Sequence, residues 1–337
     1  MKRFAGAAVV LGMLGLVTAF VLWWLPADDY LFVPDRAKPL ADKVEVESEG
    51  RGSPAKGDVY YVDLFVRRIR LLEQLLPFTR PEGSTFVSEE VLSPSGETDA
   101  ERDRQNAADM QRSEETAAVV ALRELGYEVV ATPRGILVTS VAPDVPAAEV
   151  LEAGDVVVRV DGATVKTPAE LRARIGTRKP GDTLTLAVRR QGNEPVDVRV
   201  RTIASPEDPS RAIVGILIEQ EADVKLPFEV DIDLGRVGGP SAGLPFALEI
   251  ARQLGRDVTN GCRIAATGAL ALDGTVIPIG GVKQKTVGAR RADVDYFLVP
   301  TGENAEDAQE NADGLEIIPV ESFQQALRKL ATDVEKC

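Results

Sequence analysis

Gly238-Gly239-Pro240-Ser241-Ala242-Gly243 is the stretch on which this chain's organisation turns. Two glycines give a turn that other residues adopt poorly, and a proline suits the first turn of a helix. The apolar run at 242–254 predicts that helix. Ser241 is thereby placed at a helix N-terminus, where unpaired backbone N–H groups can stabilise an oxyanion. It stands 44 positions before Lys285 in Gly280-Gly281-Val282-Lys283-Gln284-Lys285. The chain has no histidine, which excludes a Ser-His-Asp triad, a Cys-His pair and a His-ligated metal site. A serine nucleophile here needs another base. Lysine can serve only when neutral, and its ordinary pKa of about 10.4 then demands a desolvated pocket. Ile277, Pro278, Ile279 and Val282 before Lys285, with Val287 and Ala289 after it, supply apolar surroundings.

The segment 228–299 resembles the proteolytic domain of the Lon family, the serine-lysine peptidases. The resemblance is carried by Pro240-Ser241-Ala242-Gly243, by Thr267-Gly268, and by Pro278-Ile279-Gly280-Gly281-Val282-Lys283-Gln284-Lys285. It implies a serine endopeptidase with an α+β proteolytic domain. Ser241 would be the nucleophile, Lys285 rather than Lys283 the base, and Thr267 the residue that orients the lysine. Gly238, Gly239, Pro240, Ala242 and Gly243 would shape the nucleophile and oxyanion turn. No cofactor and no metal is implied. Two positions depart from the energy-dependent Lon pattern: Gly238 stands where an acidic residue is usual, and Ala269 where a glutamate is usual. The Gly-Gly-Pro-Ser form resembles membrane-anchored, PDZ-containing Lon-like proteins of Gram-positive bacteria.

Residues 126–203 resemble a PDZ domain of the bacterial protease-associated type. The matching residues are Ala147-Ala148, the run from Ala153-Gly154-Asp155 to Asp161-Gly162, and Lys179-Pro180-Gly181-Asp182. PDZ domains add an extended peptide to a sheet edge and hold its terminal carboxylate with backbone N–H groups. The matching loop would be Pro133-Arg134-Gly135-Ile136, with Arg134 either assisting carboxylate capture or standing as a solvated surface residue. The competing reading is a PDZ fold used as a spacer.

The N-terminus begins Met1-Lys2-Arg3-Phe4 and continues as an uncharged, mostly apolar stretch at 5–25 with Trp23-Trp24 near its end. A single bilayer span takes about 20 such residues. Lys2 and Arg3 would stay cytoplasmic and everything after Pro26 would lie outside the membrane. The alternative is a cleaved signal peptide, although no clear small-x-small cleavage site follows. The expected organisation is an anchor at 1–27, an extracytoplasmic region at 28–125, a PDZ domain at 126–203 and a Lon-like proteolytic domain at 204–337. Within the second of these, 59–66 reads as a strand, 67–76 as a helix, 84–113 as a long exposed polar loop and 114–125 as a helix.

A net charge of −14 argues against nucleic acid as a partner. With no Gly-x-x-x-x-Gly-Lys-Ser/Thr run, nothing here binds nucleotide through a phosphate loop. The expected partners are peptide or protein substrates and the cytoplasmic membrane, and a homo-oligomer is compatible with the sequence. A competing class is a catalytically silent PDZ scaffold. Two cysteines make no disulfide framework. A single bridge between them is compatible with an oxidising exterior, but Cys337, the last residue, is expected to be mobile, which favours Cys262 as a lone structural cysteine.

Overall fold

A computed structural model describes residues 2–47, 56–92, 98–190, 193–235 and 237–337, the side chains of 2–11 excepted. The chain is mixed α and β, and its contacts divide it into two units. The first comprises residues 1–117, 230–270 and 275–337; the second comprises 118–229 and 271–274. The boundary therefore falls at 229/230 rather than 203/204, and residues 28–117 share a unit with the serine and lysine motifs.

The first unit is built on four parallel strands in the order Asp58–Tyr61, Arg263–Ala266, Tyr296–Pro300, Glu316–Val320. Lys38–Pro39 adds antiparallel to Asp58–Tyr61. Parallel strands are covered on both faces, so they read as short unbroken apolar runs. Ile264, Ala265 and Ala266, like Phe297, Leu298 and Val299, are fully buried. Thr267 follows immediately on the second strand, at the carboxyl end of the parallel set. A separate antiparallel sheet orders Leu64–Arg70, Pro26–Pro34 and Thr85–Val87. Residues 67–70, expected in a helix, instead extend a strand that buries Ile69 and pairs with Pro26–Pro34; a single helical turn, Leu71–Leu75, follows.

The polar stretch expected as a loop is the main correction. Asp99–Glu124 is one helix of 26 residues. Thr98 and Glu101 form a capping box: the Glu101 carboxylate accepts from the Thr98 N–H (2.9 Å), and the Thr98 hydroxyl accepts from the Glu101 N–H (3.3 Å). Asp99–Arg102 and Asp109–Arg112 ion pairs one turn apart support it further. The inward face carries Asn106, Met110, Ser113 and Ala117, at helical spacing but too polar to give an apolar period.

The cysteines are a second correction. Cys262 and Cys337 form a disulfide across a separation of 75 residues. The C-terminal segment is fixed, not mobile, because the Asn260 amide donates to the carbonyls of Leu330 and Val334 (both 2.9 Å). The Cys337 N–H in turn donates to the carbonyl of Asn260 (3.2 Å).

At the N-terminus the backbone is helical over Lys2–Trp24. The span expected at 1–27 falls partly on residues 1–11, whose side chains lie outside the described ones. Among the described residues no helix is long and apolar enough to cross a membrane.

The second unit is a sheet ordered Val196–Arg201, Thr183–Arg189, Val156–Val160, Val130–Val141, Ile216–Lys225. Ile136, Val138, Val157, Leu171, Leu184 and Leu186 fill its core. The helix Pro168–Gly176 starts on Thr167, whose hydroxyl accepts from the Glu170 N–H, and buries Leu171 and Ile175.

Candidate active site

A tight turn, a helix and one strand end bring the reactive side chains of the first unit together. Ser241 lies in a tight 3-10 turn, Pro240–Ala242, that runs into the helix Gly243–Gln253. The serine therefore precedes the helix instead of opening it. Gly239 adopts φ 92° and ψ 160°, a conformation restricted to glycine. Its N–H donates to the carbonyl of Asn106 (2.8 Å), which removes that amide from the set of oxyanion donors. The amides of Ser241 and Ala242 remain in the first turn, where no intrahelical acceptor exists.

The base comes from the helix Val282–Arg291, capped by Gly281 in the left-handed region (φ 71°). The positive φ favours glycine there, and a Cβ on Gly281 would also press on the Leu64 side chain. From this start Lys285 points inward and Lys283 outward: Lys285 is 3% exposed, whereas Lys283 is exposed. Lys285 Nζ donates to Ser241 Oγ (2.5 Å) and to Thr267 Oγ1 (3.2 Å). The Thr267 hydroxyl donates onward to the Ser241 carbonyl (3.3 Å). The same carbonyl accepts from the Gly268 N–H (2.9 Å), which ties the strand end to the serine turn.

Burial sets the electrostatics. Desolvation lowers the Lys285 pKa from 10.5 to about 8, opposed by the negative charge of Asp63. A substantial fraction of the amine is then neutral near physiological pH, as a base requires. Asp63 was not visible as a site residue in the sequence. Its own pKa is raised by burial, it is ion-paired to Lys38 (3.3 Å), and its buried Oδ1 has no hydrogen-bond partner among the described residues.

The structure thus brings Ser241, Lys285 and Thr267 within hydrogen-bond distance of one another, with Gly238, Gly239, Pro240, Ala242 and Gly243 around the serine turn. The arrangement can transfer a proton from serine to a neutral amine and hold a developing oxyanion on two backbone amides.

The comparisons with known proteins agree with this chemistry. Residues 230–333 match the Lon protease (S16) C-terminal proteolytic domain. Residues 123–202 match the PDZ domain. The chain joins a PDZ domain to a Lon-type proteolytic domain. The Lon protease of Desulforamulus reducens is 34% identical over 122 residues, covering 35% of this chain and 14% of that protein. Lon protease 1 of Sorangium cellulosum is 45% identical over 69 residues, covering 20% of this chain and 8% of that protein. The chain therefore spans only a small part of the length of these curated relatives. Among solved structures, the PDZ domain of the SdrC-like protein from Listeria monocytogenes is 32% identical. It covers 25% of this chain and 86% of that one, with a TM-score of 0.23. The proteolytic-domain match and the Lon relatives support a serine peptidase.

The expected peptide-binding loop is a correction. Arg134, Gly135 and Ile136 lie inside the strand Val130–Val141, not in a loop. Gly135 pairs with Glu221 and Ile136 with Gln220 on one side, and Ile136 pairs with Val157 on the other. Ile136 is fully buried, and Arg134 forms an ion pair with Asp223. The apolar run Gly135-Ile136-Leu137-Val138 is a core strand, and its short neighbouring polar residues imitate a loop in the sequence. The terminal strand on this side of the sheet is Ile216–Lys225, which follows Gly215 at φ 80°.

Proposed function

We propose that this protein is a serine endopeptidase acting through a Ser241–Lys285 dyad on extended peptides or unfolded proteins, without nucleotide. The observation that carries the proposal is the 2.5 Å contact between Lys285 Nζ, buried and with its pKa lowered to about 8, and Ser241 Oγ. Neutral Lys285 accepts the Ser241 hydroxyl proton as Oγ attacks the scissile carbonyl. The Ser241 and Ala242 amides hold the oxyanion. Lys285 then gives its proton to the leaving amine, and water enters by the reverse sequence to release the acyl group. Thr267 keeps the amine directed at Oγ and at the same time fixes the Ser241 carbonyl.

The PDZ domain would bring chain ends to the enzyme by strand addition, and Ile216–Lys225 is the strand placed for it. An extracytoplasmic location with the N-terminal helix as anchor belongs to the same proposal. The apolar sequence at 5–25 supports it, and so does the Cys262–Cys337 disulfide, a bond that persists in oxidising compartments. The test is hydrolysis of an unstructured peptide by the full chain in nucleotide-free buffer. Turnover by wild type and none by a folded Ser241→Ala variant is expected. Equal turnover by both refutes the dyad, and turnover that appears only with ATP refutes the nucleotide-free reading.

A further inference from the structure

The helix Asp99–Glu124 lies outside the segment matched by the proteolytic family, yet two of its residues hold the serine turn. Asn106 presents its carbonyl to the Gly239 N–H, as described above. Ser113 is buried, 6% exposed, and its hydroxyl donates to the carbonyl of Pro240 (3.0 Å). That carbonyl also accepts from the Gly243 N–H. Gly238 and Gly243 are the places where the helix comes close. A Cβ on Gly238 would stand 2.8 Å from Asn106 Cβ, and one on Gly243 would stand 3.1 Å from Ser113 Oγ. The helix thus accounts for the glycine at 238, where the energy-dependent Lon pattern has an acidic side chain.

The consequence concerns the oxyanion. No peptide bond among the described residues is cis, and in a trans peptide the C=O and the following N–H point in opposite directions. Whatever fixes the Pro240 carbonyl therefore aims the Ser241 N–H. The next peptide is fixed in the same way, since the Gly268 N–H and the Thr267 hydroxyl hold the Ser241 carbonyl and so aim the Ala242 N–H. One oxyanion donor is aimed wholly from within the Lon-type segment. The other is aimed jointly by the Gly243 N–H of that segment and by the Ser113 hydroxyl of the added helix.

We infer that Ser113 is a positioning residue for the peptidase reaction: its hydroxyl, from a helix outside the matched segment 230–333, orients the Ser241 amide toward the oxyanion. The inference rests on the peptidase reading given above. Oxyanion donors act on the transition state, and deleting one costs about 10²–10³ in kcat. A donor left in place but misaligned costs less.

The experiment uses the full chain with an unstructured peptide substrate, a peptide boronate that forms a tetrahedral serine adduct, and thermal unfolding to confirm the fold. Ser113→Ala should lower kcat about 10-fold with KM changed less than twofold. Boronate affinity should fall by a similar factor, and the ascending limb of the pH–rate profile near pH 8 should stay in place. Ser113→Thr, which keeps the hydroxyl, should exceed isosteric Ser113→Val in kcat several-fold, and this matched pair keeps the test open if the alanine variant unfolds. Unchanged kcat in folded Ser113→Ala, equal kcat for the Thr and Val variants, or a loss confined to KM overturns the inference while leaving the peptidase intact. A wild type that neither cleaves the peptide nor binds the boronate overturns the peptidase reading, and the inference with it.

Discussion

Thr267 Oγ1 and Lys285 Nζ stand 3.2 Å apart at the carboxyl end of a parallel strand, and both side chains are buried. The threonine accepts from the lysine while donating to the Ser241 carbonyl, so one hydroxyl couples the base to the nucleophile's own backbone. Thr267→Val should leave the amine undirected and the carbonyl with one partner fewer, lowering kcat at least 10-fold. Thr267→Ser should retain most activity. Steady-state kinetics on a peptide substrate separates them, and equal activity of the two variants would sink this role.

The depressed pKa of Lys285 fixes a pH dependence for rate and for stability. Activity should rise with pH and level off above about 8, since only the neutral amine is a base. Lys285→Arg should be inactive, because a guanidinium does not deprotonate in this range. Asp63 opposes the shift, so Asp63→Asn should move the limb to lower pH. In the folding equilibrium, the unfolded chain holds this proton up to about 10.5 and the folded chain only up to about 8. Burying the ammonium costs about 3 kcal/mol below pH 8, and that penalty fades as pH rises to about 10.5. Denaturation of wild type and Lys285→Met at pH 7.5 and 10.5 measures it; a difference between the two proteins that does not change with pH would contradict the assignment.

Glu114 titrates with the opposite sign. Burial, then the charges of Asp231, Glu115 and Asp233, raise its pKa to about 7. The folded chain therefore holds a proton that the unfolded chain has released between about 4.5 and 7. Glu114 contributes no penalty below this window and its full penalty above it. Glu114→Gln should stabilise the protein at pH 8 by about 1 kcal/mol after solvent screening and have no effect near pH 4.5. A stabilisation equal at both pH values would rule out the titration.

The disulfide closes a loop of 75 residues around the strand Arg263–Ala266 and the lysine helix. Cys262→Ser with Cys337→Ser should cost about 2–4 kcal/mol of stability. Chemical denaturation with and without reductant checks this: wild type should weaken under reductant and the double variant should not respond.

Much of the site was legible because its chemistry is local. Gly239, Pro240 and Ser241 are read from one turn, whereas Lys285 was told from Lys283 by the resemblance alone, and the helix then shows the first buried and the second exposed. What stayed hidden depends on partners far along the chain. Asn106 and Ser113 lie on a helix face made of Asn, Met, Ser and Ala, too polar to show an apolar period. Its start was nevertheless written in Thr98 and Glu101. Asp63 acts on Lys285 only through folding, with no motif to mark it. Arg134-Gly135-Ile136 misled in the other direction: a glycine beside an arginine imitates a binding loop, and only the pairing with Ile216–Lys225 on one side, and of Ile136 and Leu137 with Val156–Val160 on the other, shows it to be part of an inner strand.

The most direct test of the dyad is covalent capture of the nucleophile. The full chain is incubated with a fluorophosphonate across pH 6–10, and the adduct is located by mass spectrometry of its peptides. A single adduct on Ser241 is predicted, forming faster as pH rises through about 8, absent in Ser241→Ala and slowed at least 100-fold in Lys285→Met. An adduct elsewhere, or Lys285→Met reacting at the wild-type rate, would contradict a serine activated by this lysine.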